Sequence, residues 1–367
     1  MSTFKKLASL AGQTIIIFLI TFVLAEITFR VYQHFNPTFI FYDPSYNRLR
    51  GKPGALNYDF HLNSRGFKDV EFKPKKKPNT YRILALGDSF AFGVVPYQYN
   101  YLTLLGQQLN SGCCEVEVMN MGIPGTGPQD YLALFVNEGL ELRPDMVLVS
   151  FFIGNDFTDT MHARKAKPYE YSHVVALIKN VIKIHRNYTG QALFTQATYD
   201  DNTPTFTDEA YLDIAKKRSL IYAKWEPFKH ALADAVYYLV RIKELCDLSN
   251  MALRVVIIPD ELQLSPTLQA KVRKALNASS NELDFTLPNR LLREQLRANR
   301  IDFSDLLDSF LSASGQMNLY RPNDSHWNIA GNKLAADILT SYISSQLSRR
   351  NLTTRMNWKD EEKSRPS

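Results

Sequence analysis

Four short polar corners carry residue types that together could perform acyl chemistry. In YRILALGDSFAFG, residues 81–93, an apolar run from Ile83 to Leu86 stops at Gly87-Asp88-Ser89. A serine after a buried strand and before a helix stands near helical N–H groups, although such a residue can also be a plain helix cap. In NMGIPGTG, Gly122 and Gly125 let the backbone approach a ligand and present an N–H without steric cost. VLVSFFIGND ends in Gly154-Asn155-Asp156, and the Asn155 amide could donate to a developing oxyanion; it could equally close an Asx turn. The fourth corner is NLYRPNDSHWNIAGN, with Asp324 two residues before His326. Of the seven histidines, only His326 combines a neighbouring carboxylate with a position at the rim of a sheet. His34, His61, His162, His173, His185 and His230 fall in the linker, in an insertion or on helix faces.

Singly, each corner is weak. Together they supply a nucleophile, a base, a carboxylate to orient the base, and donors for a tetrahedral intermediate. The serine segment is not GxSxG, so the strained elbow of an α/β-hydrolase is not indicated. A metal-dependent phosphoesterase would need Asp88, Asp156 and His326 as ligands, but the sequence lacks the further His and Asp clusters that two metals require. No metal and no cofactor are expected.

The elements that must position these corners alternate. Strand-like runs cover 83–86, 116–119, 146–154, 253–260 and about 301–305; helix-like periodicity covers 97–109, 128–142, 226–248, 266–276, 287–300 and 330–347. Strands alternating with helices imply a parallel sheet covered on both faces, with reactive groups at the carboxyl ends of the strands. The segment from about 157 to 215 shows few apolar repeats and reads as an irregular insertion. Residues 33–80 carry many Pro, Asn, Tyr and Gly and read as a linker and small cap, with HLNSRGF as a turn; 347–367 read as a polar, disordered tail.

GDS at 87–89, the glycine of NxGxxG at 125, GND at 154–156 and the terminal Asp-His loop resemble the four blocks of the SGNH (GDSL-type) hydrolases, over roughly residues 80–345. The resemblance implies a three-layer α/β/α flavodoxin-like fold with a parallel sheet. It implies Ser89 as nucleophile, an oxyanion hole from the Ser89 and Gly125 N–H groups and the Asn155 side chain, and His326 as general base. Asp324 would be its partner. The family's usual spacing is DxxH, which would put Asn323 in the acid's place. Asp324 instead matches a DxHW pattern like that of the alginate O-acetyltransferase branch. Asn323 could orient the ring but could not offset the imidazolium charge.

The 367 residues are 45% apolar and 22% charged, the balance of a globular chain with a sizeable core. Net charge is +6, with Lys73, Lys75, Lys76 and Lys77 in one tract, EFKPKKKPN; no basic face interleaved with aromatics points to nucleic acid. That tract reads as a solvated linker or as weak attraction to an anionic surface. Cys113, Cys114 and Cys246 form no CxxC pair; small buried hydrophobes are expected, with a Cys246 bridge to one of the pair as the alternative. At the N-terminus Lys5 and Lys6 precede an apolar stretch from Leu7 to Phe29, interrupted by Gln13 and Glu26. It is long enough to span a bilayer, and the pattern continuing through Val31 and Tyr32 suits an uncleaved anchor (1–32) with the SGNH-type domain (81–346) exported. Val23-Leu24-Ala25 would also serve as a signal-peptide cleavage site.

The expected activity is therefore that of a membrane-anchored, exported serine esterase or O-acyltransferase on envelope glycan acyl groups, with a membrane acyl-donor partner in the transferase case. Alternatives are a lipase, lysophospholipase or thioesterase, with an apolar groove from Phe194, Tyr199 and Phe206, or a non-catalytic assembly factor that keeps the fold.

Overall fold

A computed structural model describes residues 2–35, 43–45, 48–51, 53–110, 115–159, 172–187, 199–223, 226–279 and 281–363. Its centre is one five-stranded sheet: β1 (Thr80–Gly87), β2 (Glu115–Gly122), β3 (Met146–Phe152), β4 (Ala252–Ile258) and β5 (Asp302–Asp305). All neighbours pair in parallel, in the order 2-1-3-4-5. This is the flavodoxin-like arrangement, whose switch point lies between β1 and β3.

The continuous apolar runs of β1, β3 and β4 follow from burial on both faces. Leu84, Leu86, Val147, Val149, Val255 and Ile257 enter one core layer; Ile83, Ala85, Met146, Leu148, Val256 and Ile258 enter the other. The first layer is closed by α4 (Pro128–Leu134), α5 (Asp156–Asp159), α8 (Glu226–Leu248), α9 (Glu261–Leu264), α10 (Pro266–Leu276) and α11 (Leu287–Ala298). The second is closed by α3 (Tyr101–Leu109), α12 (Leu307–Ser314) and α13 (Ile329–Lys363). The parallel sheet covered on both faces, implied by the alternation, is thus present, in the three α/β/α layers that the resemblance implies.

Several expectations change. The insertion is not irregular throughout: it holds α6 (His173–Asn187) and α7 (Asp208–Arg218). The tail read as disordered continues α13 to Lys363, since no Gly or Pro interrupts the chain between Gly331 and Pro366. The lysine tract is not simply solvated. Lys76 pairs with Asp145 and Lys77 with Glu115, each at 2.7 Å, and the buried Arg82 holds the carbonyls of Lys73 and Pro74. Cys246 is a buried free thiol, pushed up to about 12 by burial; Cys113 and Cys114 lie outside the described residues. α1 (Ser2–Phe35) contains one stretch, Phe4–Tyr32, long and apolar enough to cross a membrane.

Residues 56–72 do more than link. Lys68, buried, donates to the carbonyls of Gly93 (2.8 Å) and Val95 (2.5 Å), just beyond α2 (Ser89–Phe92). Burial, only partly opposed by Asp59, holds its ammonium down at about 7. Asp69 accepts from Asn120 N–H and Tyr97 Oη, both at 2.7 Å. Replacing Lys68 by Met should destabilise the chain by about 1–3 kcal/mol, because two buried carbonyls lose their donor. Chemical denaturation in detergent measures that loss.

Candidate active site

β1 delivers its last residues to a single-turn helix. Asp88 caps α2, its Oδ1 accepting from the Phe90 N–H at 2.9 Å, while the Phe92 N–H donates to Asp88 O at 3.0 Å. The helix has no second turn to satisfy its carbonyls, so side chains do so. Asn100 Nδ2 donates to Ala91 O (2.9 Å) and Phe92 O (3.1 Å), and Asn120 Nδ2 to Ala91 O (2.7 Å). Gly122 ends β2 against this turn: a Cβ there would lie 2.3 Å from the Phe92 nitrogen and 2.6 Å from the Ala91 carbonyl carbon. Only glycine permits that approach. Ser89 is consequently presented on a rigid backbone.

His326 Nε2 lies 2.7 Å from Ser89 Oγ, and its Nδ1 lies 2.6 Å from Asp324 Oδ1. The same carboxylate oxygen accepts the His326 N–H at 3.0 Å. Its other oxygen accepts from Thr205 Oγ1 at 2.6 Å and Arg321 Nη1 at 3.2 Å. Burial by itself would raise the Asp324 carboxyl; the His326 ring, then its hydrogen bond, then Arg321 and Thr205 outweigh it and hold the group at about 2. Asp324 therefore stays ionised through the range in which histidines titrate. An acid limb of kcat/KM above pH 4 should then survive unchanged in position when Thr205 is replaced by Val, since the limb belongs to another group than Asp324; a pH–rate profile checks this.

Asn323, the residue at DxxH spacing, does not face the ring. It adopts a left-handed φ of +46° and turns outward, donating to Phe206 O (3.2 Å) and Asp208 Oδ1 (2.6 Å). The loop is anchored instead by Trp327, buried among Phe90, Tyr101 and Phe310 at 5.0–5.6 Å between ring centroids. Phe90 also lies 5.2 Å from the His326 ring, so the turn that carries Ser89 and the loop that carries His326 share one aromatic support.

The remaining corners converge at the same end of the sheet. Gly125 follows Pro124 with φ +72°, and nothing lies within 4 Å of where its Cβ would be. The Pro-Gly pair suits the central positions of a turn that needs positive φ. Asn155 Nδ2 donates to Asp159 Oδ2 at 2.8 Å, which fixes the plane of the amide. Burial raises Asp88, against the Phe90 N–H, His326 and Asn155; burial likewise raises Asp159 to about 6. Asp156 points into the core, accepting from Tyr131 Oη at 3.0 and 3.1 Å and from the Phe152 N–H at 3.1 Å. Its role there is to fasten the GND corner to β3 and α4. Among the described residues no group of three His, Cys, Asp or Glu is arranged to hold a metal ion.

Sequence reasoning missed Thr205, Arg218 and Arg321. Arg218 ends α7 with its guanidinium 5.0 Å over the Phe152 ring and 3.7 Å from Asp260 Oδ1. Thr205 and Arg218 fall in no motif, and only the fold brings them over the strand ends; Arg321 stands in the terminal loop, but its spacing there does not mark it as a partner of Asp324. Of the aromatics proposed for an apolar groove, Phe206 packs against the core and Tyr199 meets Tyr58 edge-on at 5.4 Å, while Phe194 lies outside the described residues. A cavity of about 610 Å³ lies at the β5 edge, lined by Arg254, Arg297, Arg300 and Tyr342 among others and not by Ser89, Asp324 or His326.

No family model and no curated protein matches the chain. Solved structures similar to it include an acetyl xylan esterase (14% identity, TM-score 0.41, covering 71% of this chain and 99% of that one). Others are a lipase/acylhydrolase from Enterococcus faecalis (14%, 0.38, 72% and 96%) and a GDSL-like lipase from Bacteroides thetaiotaomicron (10%, 0.37, 72% and 88%).

Proposed function

We propose that this chain is a serine ester hydrolase or O-acyltransferase of the SGNH (GDSL) type, held at the membrane by α1 and acting on acyl groups of an envelope glycan. The observation that carries the chemistry is the run of contacts from Ser89 Oγ through both nitrogens of His326 to Asp324, 2.7 and 2.6 Å. In this reading Ser89 Oγ attacks the acyl carbonyl as its proton passes to Nε2, while Nδ1–H donates to Asp324. The oxyanion takes donors from the Ser89 and Gly125 N–H groups and the Asn155 amide. As the C–O bond breaks, the leaving oxygen takes the serine's proton from Nε2, and water or a sugar hydroxyl, deprotonated by the same base, then resolves the acyl-enzyme.

The catalytic unit spans 81–346 with 33–80 as its cap, and Lys68 and Asp69 support that pairing. Lys5 and Lys6 before the apolar stretch favour an N-terminus in the cytoplasm and an exported catalytic unit; reporter fusions after Asn36 that give only cytoplasmic signal would contradict this. Glycan acyl groups are favoured over lipid esters because the candidate groove aromatics Tyr199 and Phe206 are engaged with neighbours. Labelling with a fluorophosphonate, followed by acetyl against longer-chain nitrophenyl esters, tests the reading: labelling confined to Ser89 and preference for acetyl are expected. Replacing Asn155 by Ala should lower kcat by roughly 10²–10³ with KM little changed, the signature of one lost oxyanion donor; steady-state kinetics reads that split.

A further inference from the structure

Glu26 is an oddity of α1: a carboxylate inside a stretch apolar enough to cross a bilayer. Left unpaired there it would be costly. It is not unpaired. Glu26 accepts from Ser172 Oγ (2.9 Å) and from the backbone N–H groups of His173 and Val174 (both 3.0 Å), and it pairs with Arg30 at 2.7 Å. Those N–H groups belong to the first turn of α6, so the transmembrane candidate caps a helix of the globular part. α1 is partly shielded along Phe22, Ala25, Glu26 and Phe29, the i, i+3, i+4, i+7 stripe that faces a packed neighbour.

This fixes the height of the first turn of α6. Glu26 lies six residues before Tyr32, the end of the apolar stretch, or about 9 Å at 1.5 Å per residue. An amphipathic helix lying in a membrane interface buries its apolar face to about 5–10 Å. α6 has such a face. Ile178, Val181 and Ile182, at i, i+3 and i+4, are 53%, 48% and 47% exposed, with Lys179 beside them. In water three large aliphatic side chains on one turn-and-a-half would be left wet for no gain. They lie one to two turns beyond the clamp at Glu26, within reach of the bilayer surface if α6 runs along it.

We infer that α6 is an interfacial helix whose Ile178-Val181-Ile182 face lies in the bilayer surface, clamped to the anchor by Glu26, so that the catalytic unit is held against the membrane rather than tethered at a distance. This rests on the anchor reading of α1. Its consequence is for substrate class: the acyl donor or acceptor would be reached at the bilayer surface, as in a lipid-linked or membrane-proximal glycan.

The test uses the full chain in vesicles of three parts phosphatidylcholine to one part phosphatidylglycerol, with Cys113 and Cys114 replaced by Ser and Cys246 left buried. Single cysteines at Ile16, Ile178, Val181, Ile182 and Asp213 carry a nitroxide, and circular dichroism checks that each variant keeps its helix content. Collisions with oxygen and with a water-soluble nickel chelate are then compared. The inference expects oxygen to dominate at Ile178, Val181 and Ile182 as at Ile16, and the chelate to dominate at Asp213, an exposed position on α7. Oxygen dominance at Ile16 with chelate dominance on α6 overturns the inference and leaves the anchor intact. Chelate dominance at Ile16 overturns both. Immobile α6 labels shielded from both reagents mean that a protein partner covers the face, which also overturns it.

Discussion

Replacing Ser89 by Ala is expected to lower ester turnover by ~10⁴ or more while leaving the fold intact, because removal of the nucleophile from a concerted Ser-His-Asp unit takes away the whole covalent route. The fold should tolerate the change. Ser89 Oγ is half-buried and its neighbours in the single-turn helix are held by other groups: Asp88 by the Phe90 N–H, Ala91 by Asn100 and Asn120, Gly93 by Lys68. Turnover of an acetyl ester, read beside circular dichroism and denaturation midpoint, separates the two effects. The same assay with EDTA should show no loss. Strong inhibition by the chelator, restored by a divalent ion, would move the chemistry from the serine to a metal, and residual turnover within tenfold of the parent would do the same for the nucleophile.

The strand-end corners were legible in the sequence because each joins an apolar run to Gly, Asp, Asn or Ser, a change in residue type that also marks where a buried parallel strand reaches solvent. The sheet was legible for the same reason: β1, β3 and β4 are apolar at successive positions, which only burial on both faces explains. What supports the corners was not. Lys68 and Asp69 sit in a segment without periodicity, and the groups that tie them to the rest of the domain lie 25 and more residues away. Thr205 reaches Asp324 across 119 positions, a pairing that no local pattern records. α6 escaped notice for a different reason. Its run HVVALIKNVIKIHRN is rich in β-branched residues, which lower helix propensity, and its apolar face does not complete the core, so the usual link between periodicity and a buried layer is missing.

The carboxylate that orients His326 is the most consequential of the residues whose spacing was ambiguous. Asp324 Oδ1 meets both the ring Nδ1 and the His326 N–H, so replacing Asp324 by Asn keeps the size of the side chain but can present an N–H₂ where an acceptor is needed. The imidazole then loses the tautomer with its free lone pair toward Ser89, and the imidazolium formed during attack loses its countercharge. A loss of about 10³–10⁴ in kcat is expected on both grounds. The Arg321 guanidinium, at 3.2 Å from the second oxygen, loses that ion pair in the variant, so some loss of stability should accompany the loss of rate. Asn323→Ala is the matched control. Its side chain is tied to Phe206 O and Asp208 at the insertion rather than to the ring, so its loss should cost no more than about tenfold, through a looser loop. Kinetics of the two variants side by side, each with its denaturation midpoint, decides the matter: if Asn323→Ala falls as far as Asp324→Asn, or Asp324→Asn is nearly silent, the base works as a Ser-His dyad oriented by something other than Asp324.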